Sequence, residues 1–329
     1  MKRVLIMLCI IGLLLGTFLT FSASAQGPSL DAVKAKHERQ IIATNGVSGI
    51  TTDPSTNQIV VFTENKQVCA NVPKELDGYS VRCEVIGRIT AVQPAAVATP
   101  RTTFSYATYS RTGVNRPVFG GISVMTSAYP TAAGTLGLVL SSNQILSCAH
   151  VLAMDTNANF VPLQTSVWQP GGYDGGSATY AIGNLTAYTP ITFGPNGVNY
   201  ADAARASLSV AGNQGKVLNA ANNGFVSVSG TYTRALTTRD SVSKSGRTSG
   251  VTSDFVYYPS ATVNVYYNST AYAVFQDQLL VRQPFLQPGD SGSVVYKNGQ
   301  FVGLGFAASN TVAVVCKAHY IESELGITV

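Results

Sequence analysis

The sequence predicts a mainly β protein preceded by a small α+β unit. Two observations carry this. From residue 118 to 329 the chain is a series of short apolar runs punctuated by Gly, Asn, Ser and Pro, as in a β-sandwich or barrel. Before that, residues 26–92 hold one helical pattern followed by strand-like runs, and Gln93–Pro117 separates the two regions with Pro, Ala, Thr, Ser and Arg.

In the first region, Ser29 is placed to cap a helix over 29–44, with Leu30, Val33, His37 and Ile41 recurring at helical spacing. His37 on that face reads as a packed histidine. Val47–Thr52 and Gln58–Glu64 read as strands around an Asp53–Asn57 turn, Val68–Leu76 as a short helix, and Tyr79–Val92 as an alternating strand. In the second region the runs include Leu136–Leu140, Gln144–Ala149, Ala203–Val210, Ser253–Tyr258, Thr262–Tyr267 and Phe301–Phe306. Only His319–Leu325 reads as helix.

Residues 1–25 read as a secretory signal. Lys2 and Arg3 precede an apolar run, and Ala23-Ser24-Ala25 gives a small-residue cleavage site. The expected localisation is secreted or periplasmic, with no membrane attachment once the signal is removed. The net charge of +5 shows no Lys/Arg cluster, so nucleic acid is not an expected partner. Four cysteines follow the signal. Cys69 and Cys83 share one short segment and are expected to form a disulfide. Cys148 and Cys316 are left either bridged or as two buried thiols. Their spacing gives no CxxC zinc site, and neither metal nor cofactor is expected.

The chemistry-bearing residues are few. A serine becomes a nucleophile when an imidazole takes its proton, and a carboxylate must then orient that imidazole. Of three histidines, His37 lies in the small unit and His319 in the terminal helix. His150 closes the run Ile145–Val151 and is the remaining candidate. Ser291 sits in Gly289-Asp290-Ser291-Gly292, where glycines on both sides allow a tight bend. The amides of Gly289 and Ser291 would then point inward as an oxyanion hole.

These motifs resemble those of the trypsin/chymotrypsin-like serine proteases, in particular the bacterial secreted type. Ser147, Ala149 and His150 are similar to the histidine motif of that family, Asp202 in Tyr200–Ala204 to its aspartate motif, and Gly289–Gly292 to its serine motif, in the order His, Asp, Ser. Gly134–Gly137, Lys244–Gly250 and the strand around Gly303 add supporting matches. Asp155, Asp174, Asp240, Asp254 and Asp277 also lie between His150 and Ser291. Asp202, opening an Ala-rich strand, is the one placed to sit half-buried beside an imidazole.

The resemblance implies a chymotrypsin-like double β-barrel over 118–329 and a catalytic set of His150, Asp202 and Ser291. It places Phe285 at the base of the substrate pocket and Phe306, Ala307 and Ala308 along its wall. With no carboxylate at Phe285, a small or apolar side chain is expected at the cleavage site. The implied activity is a secreted serine endopeptidase acting on protein or peptide substrates. A non-catalytic homologue acting as a binding protein and a serine esterase are the alternatives. Asp290 would shape the oxyanion loop, and in zymogen-activated members its counterpart pairs with a freed N-terminus. Val118–Ile122 resembles such a mature start, although Pro117 after Arg116 makes a poor cleavage site. The unit 26–92 is then a propeptide that assists folding, a removable intramolecular inhibitor or a permanent domain, and its place between signal and protease favours the propeptide.

Overall fold

The computed structural model describes residues 27–92 and 108–329. The expected signal segment, and the expected linker as far as residue 107, lie outside the described residues. Mainly β architecture in two barrel-like lobes is what the described chain adopts. One lobe is a seven-stranded sheet running from Ile122–Thr126 to Ala204–Ser207. The other belongs to a twelve-stranded sheet, continuous from Gly194–Asn199 through the C-terminal strands and on into the N-terminal unit.

The N-terminal unit follows the expected order with local changes. The helix spans Leu30–Ile42, and Ser29 Oγ accepts from the Ala32 amide. Strands Val47–Asp53 and Gln58–Thr63 pair antiparallel around the Asp53–Asn57 turn. The second strand is apolar on both faces for a clear reason. Ile59 and Val61 pack towards the helix with Val33, Ile41 and Ile42, while Val60 and Phe62 join the main core.

His37 is not packed into the core. It is half-exposed, with Nε2 3.1 Å from Asp77 on the surface. The single helix expected over 68–76 is instead a helix at Lys66–Ala70 and a short strand at Glu75–Leu76. The strand expected over 79–92 ends at Val85, and the chain crosses to a separate two-residue strand, Thr90–Ala91. Cys69 and Cys83 form the expected disulfide, and Cys148 and Cys316 are free and buried.

The two expected runs at 253–258 and 262–267 are one strand, Gly250–Tyr266, with register shifts on both sides of Pro259. Proline removes a ladder donor and the bulges absorb it, so the sequence pattern breaks where the strand does not. This strand makes a hairpin with Tyr272–Arg282 and also pairs with Val47–Asp53, through Gly49 opposite Val263 and Ile50 opposite Thr262. Buried Glu38 accepts from Thr262 Oγ1 at 2.6 Å, and Asn264 Nδ2 donates to the carbonyls of Ile42 and Val47 at 2.8 and 2.9 Å. The N-terminal unit is therefore a sheet extension of the second lobe.

Residues 108–117 pack into the main body. Buried Arg111 donates to Gly121 O, Ser245 Oγ, Gly246 O and Asn219 O at 2.8–3.1 Å. Val118 is fully buried, its amide donates to Ala211 O at 2.9 Å, and its strand pairs with Gly212–Leu218. Val118 is thus held by sheet and core, while Arg116 and Pro117 before it are exposed.

The Cys69–Cys83 bridge closes a loop with a sequence separation of 14. Replacing both cysteines with serine is expected to lower unfolding free energy by about 3 kcal/mol, read as a lower denaturant midpoint under oxidising conditions.

Candidate active site

The pairing of two strands brings His150 to Asp202. Gln144–Ser147 runs antiparallel to Ala204–Ser207, with Ser147 opposite Ala204. Residues just after Ser147 therefore face residues just before Ala204. His150 does not end a strand, as its sequence suggested; it lies in a one-turn helix, Ala149–Leu152, which turns the ring back towards that strand end.

His150 Nδ1 lies 2.6 Å from Asp202 Oδ2, and the His150 amide donates to Asp202 Oδ1 at 3.1 Å. The Tyr267 hydroxyl donates to Asp202 Oδ2 at 2.7 Å. Asp202 is wholly buried rather than half-buried. Burial alone would raise its pKa. Attraction to His150 and hydrogen bonds from the His150 ring, the Tyr267 hydroxyl and the His150 amide outweigh that and hold it below the ordinary carboxylate value. Burial and the Asp202 charge push the Tyr267 hydroxyl well up, so it stays a donor.

A carboxylate beside Nδ1 fixes the tautomer with the proton on that nitrogen, leaving Nε2 as an acceptor. Among the described residues, His150 Nε2 is buried and has no hydrogen-bond partner. Cys148 Sγ lies near the same two side chains. Burial and the Asp202 charge raise its pKa well above the ordinary thiol value, so it is a neutral packing group.

Ser291 stands in the bend predicted from its glycines. Gly289 and Gly292 have φ of +91° and +89°, and a Cβ on Gly292 would lie 2.1 Å from Ser147 Oγ and 2.4 Å from Thr135 O. Thr135 ties the bend down: its amide donates to Ser291 O at 2.8 Å and its hydroxyl to Gly289 O at 2.9 Å. Ser147 Oγ in turn donates to Thr135 O at 2.7 Å. No described residue accepts from the amides of Gly289 or Ser291.

Ser291 Oγ is buried. It donates towards Val92 O at 2.9 Å and Phe306 O at 3.1 Å rather than to His150. Phe285 is fully buried in an apolar cluster with Leu286, Val281 and Val92. The Phe306 side chain packs on Phe275 in the core, with ring centroids 4.9 Å apart, so its carbonyl and not its ring faces the cleft. Ala307 and Ala308 follow on the same strand, Gln300–Ala308.

Asp290 is not awaiting a partner. Its Oδ2 is 2.9 Å from Lys244 Nζ, both side chains being fully buried, and its Oδ1 accepts from the amides of Thr248 and Ser249 at 2.9 and 3.0 Å. Burial lowers the Lys244 pKa, and Asp290 opposes that shift. Lys244, Thr135, Tyr267 and Val92 were not recognised from sequence as site residues. Lys244 carried the one usable signal, a single lysine in the serine- and glycine-rich run Ser241–Gly246. The others are joined to the site only by long-range contacts.

The chain matches no protein-family model and no curated protein. Solved structures that resemble it include a glutamic-acid-specific serine protease (16% identity, TM-score 0.47, covering 64% of this chain and 100% of that one). A chymotrypsin of Cellulomonas bogoriensis resembles it at 16% identity and TM-score 0.45, covering 64% and 97% of the two chains. Protease A of Thermobifida fusca does so at 17% identity and TM-score 0.45, with the same coverage. The resemblance is to bacterial chymotrypsin-like serine proteases. The likeness is a distant one, and nothing about activity transfers with it.

Lys244→Ala would leave the Asp290 carboxylate buried and unpaired, and is expected to cost about 3–5 kcal/mol, seen as a large fall in Tm by calorimetry. Because the folded pKa of Asp202 is depressed, its charge contributes stability that is complete above about pH 4. That contribution is lost as pH falls through the lower folded value. The stability difference between wild type and Asp202→Asn should accordingly be greatest above pH 4 and shrink on acidification, as followed by denaturant titration at each pH.

Proposed function

We propose that this protein is an exported serine endopeptidase that cuts peptide bonds through an acyl-enzyme on Ser291. The observation that carries the reading is the His150–Asp202 pair, closed at 2.6 Å and leaving a buried, unpartnered Nε2, with the serine bend packed beside it: a Cβ on Gly292 would lie 3.3 Å from the amide of Cys148.

In the proposed reaction, Ser291 Oγ turns about its χ1 from the carbonyls it now faces and gives its proton to His150 Nε2. Its oxygen attacks the substrate carbonyl carbon. Asp202 holds the ring and stabilises the imidazolium. The amides of Gly289 and Ser291 receive the oxyanion, each worth roughly 3–4 kcal/mol in the transition state. His150 then gives its proton to the departing amine, and water releases the acyl group by the same steps in reverse. Phe285, Ala307 and Ala308, with the Phe306 backbone, form the pocket and edge that hold the substrate. No metal or cofactor takes part.

Export is supported by the leader pattern of residues 1–25 and by the Cys69–Cys83 disulfide, which suits an oxidising compartment. Among the described residues no helix is long and apolar enough to cross a membrane. We assign residues 27–92 the role of an intramolecular inhibitor, because their last strand lies in the cleft.

One observation favours a second reading, a non-catalytic binding protein: Ser291 Oγ is hydrogen-bonded to main-chain carbonyls and not to His150. A fluorophosphonate probe separates the two. With the N-terminal unit removed, the wild-type protein should be labelled and Ser291→Ala should not. Ser291→Ala should also lower kcat on peptide amides by about 10^6-fold, and Asp202→Asn by about 10^4-fold. Labelling retained by Ser291→Ala would end the assignment of the nucleophile. Turnover of esters without amides would make the enzyme an esterase.

A further inference from the structure

Arg111 is a buried cation whose described partners include no carboxylate. Its guanidinium donates to Ser245 Oγ at 2.8 Å and to the carbonyls of Gly121, Asn219, Gly246 and Leu218 at 2.9, 2.9, 3.1 and 3.3 Å. Burial pushes its pKa down to about 10, and the charge of Asp290 opposes that shift. A buried charge is costly to desolvate, and an apolar side chain of similar volume would avoid that cost. The charge and its planar fork of donors therefore call for a role besides filling space.

The acceptors lie on three separate pieces of chain. Gly121 precedes the strand Ile122–Thr126 of the seven-stranded sheet, and Leu218 ends the strand Gly212–Leu218. Ser245 and Gly246 end the strand Ser241–Gly246, which carries Lys244. The fit is close: a Cβ on Gly121 would lie 2.5 Å from Ser245 Oγ, and one on Gly246 would lie 2.3 Å from Asp290 Oδ1. That strand end reaches the serine bend by two routes. Lys244 Nζ meets Asp290 Oδ2 at 2.9 Å. The Arg247 amide donates to Thr135 Oγ1 at 3.0 Å, and that hydroxyl donates to Gly289 O at 2.9 Å.

The loop that presents Arg111 is itself fixed. The Arg111 carbonyl accepts from the Ser123 amide at 2.7 Å, and Ser110 Oγ accepts from the Gly113 amide at 2.9 Å. Asn115 Nδ2 donates to the carbonyls of Ser110 and Gly113 at 2.8 and 2.9 Å. Oxyanion donors act only when held in place before the charge develops, so a brace behind them is felt in the transition state.

We propose that Arg111 is a positioning residue for catalysis, which locks Ser245 and Gly246 against Asp290 and so holds the amides of Gly289 and Ser291 at the oxyanion. Residues 108–117 then belong to the working protease, although they precede the segment that resembles the family. The proposal rests on the reading of Ser291 as a nucleophile and adds to that site a residue from outside it.

The test uses the exported protein, with fluorophosphonate labelling of Ser291 and with kcat and KM on a peptide p-nitroanilide that has alanine or valine before the cut bond. Arg111→Ala should lower kcat by about 100-fold with KM changed by less than about threefold, as when stabilisation is lost in the transition state alone. Ethylguanidinium chloride should restore kcat of this variant by about 10-fold, because it returns the planar fork. Sodium chloride at the same concentration should not. Arg111→Lys should fall between wild type and Arg111→Ala, since an ammonium keeps the charge without the fork. Intact mass of the labelled chain should show that it contains Arg111.

A folded Arg111→Ala with wild-type kcat, or with a loss confined to KM, would overturn the proposal. So would recovery no better in ethylguanidinium than in sodium chloride, or an active labelled chain that begins after Arg111. If Arg111→Ala does not fold, Arg111→Lys decides: a wild-type kcat overturns the proposal, and a lowered kcat at unchanged KM supports it. Labelling separates the two levels. With wild type labelled, these outcomes refute this proposal alone, whereas an unlabelled wild type refutes the protease reading as well.

Discussion

The carboxylate of Asp290 lies wholly inside the protein, and its oxygens take hydrogen bonds from the Lys244 ammonium and from the amides of Thr248, Ser249 and Gln287. A buried ion pair contributes little net stability, because desolvation offsets the attraction; what it provides is a fixed geometry. Here that geometry sets the bend Gly289–Gly292, with Ser291 Oγ on one side and two open amides beside it. Thr135 clamps the same bend from the other lobe. The cation that meets this carboxylate is supplied from within the chain, on the strand Ser241–Gly246. The serine bend is therefore held by groups internal to the protein, with the Val92 carbonyl against Ser291 Oγ.

The long hairpin Gly250–Tyr266 and Tyr272–Arg282 links the N-terminal unit to the His150–Asp202 pair. One of its edges receives Val47–Asp53, and its turn presents Tyr267 to Asp202. Asn268 shapes the turn by accepting from the amides of Thr270 and Ala271 at 2.9 and 2.7 Å. The same element thus anchors the N-terminal unit and adds a donor to the carboxylate that orients His150. Arg88 reinforces the crossing, pairing with Glu64 at 2.8 Å and lying 4.5 Å over the Tyr266 ring.

Much of this was legible in the chain because it depends on local or periodic features. Ser29 before an apolar period marks a helix start, and the glycines flanking Asp290-Ser291 mark a bend with positive φ. What was misread has physical causes as well. Pro259 interrupts the pattern of Gly250–Tyr266 because bulges accommodate what a regular ladder would not. His150 looked like the end of a strand because a single helical turn is too short to establish a 3.6-residue period. Residues 86–92 looked like the continuation of Tyr79–Val85, since Ile86, Ile89, Ala91 and Val92 prolong its apolar content past the break at Gly87, where φ is +82°.

The sequence by itself determined the β class, the N-terminal α+β unit, the Cys69–Cys83 pair and the candidates His150, Asp202 and Ser291, since each rests on residue type, spacing or elimination among few alternatives. Only the tertiary structure decided which groups meet. It set Lys244 against Asp290, Tyr267 against Asp202, and Val92 against Ser291, the two residues of the last pair lying 199 positions apart. Such contacts are fixed by strand register and by the burial of charge in a shared core, and neither leaves a trace in local sequence pattern.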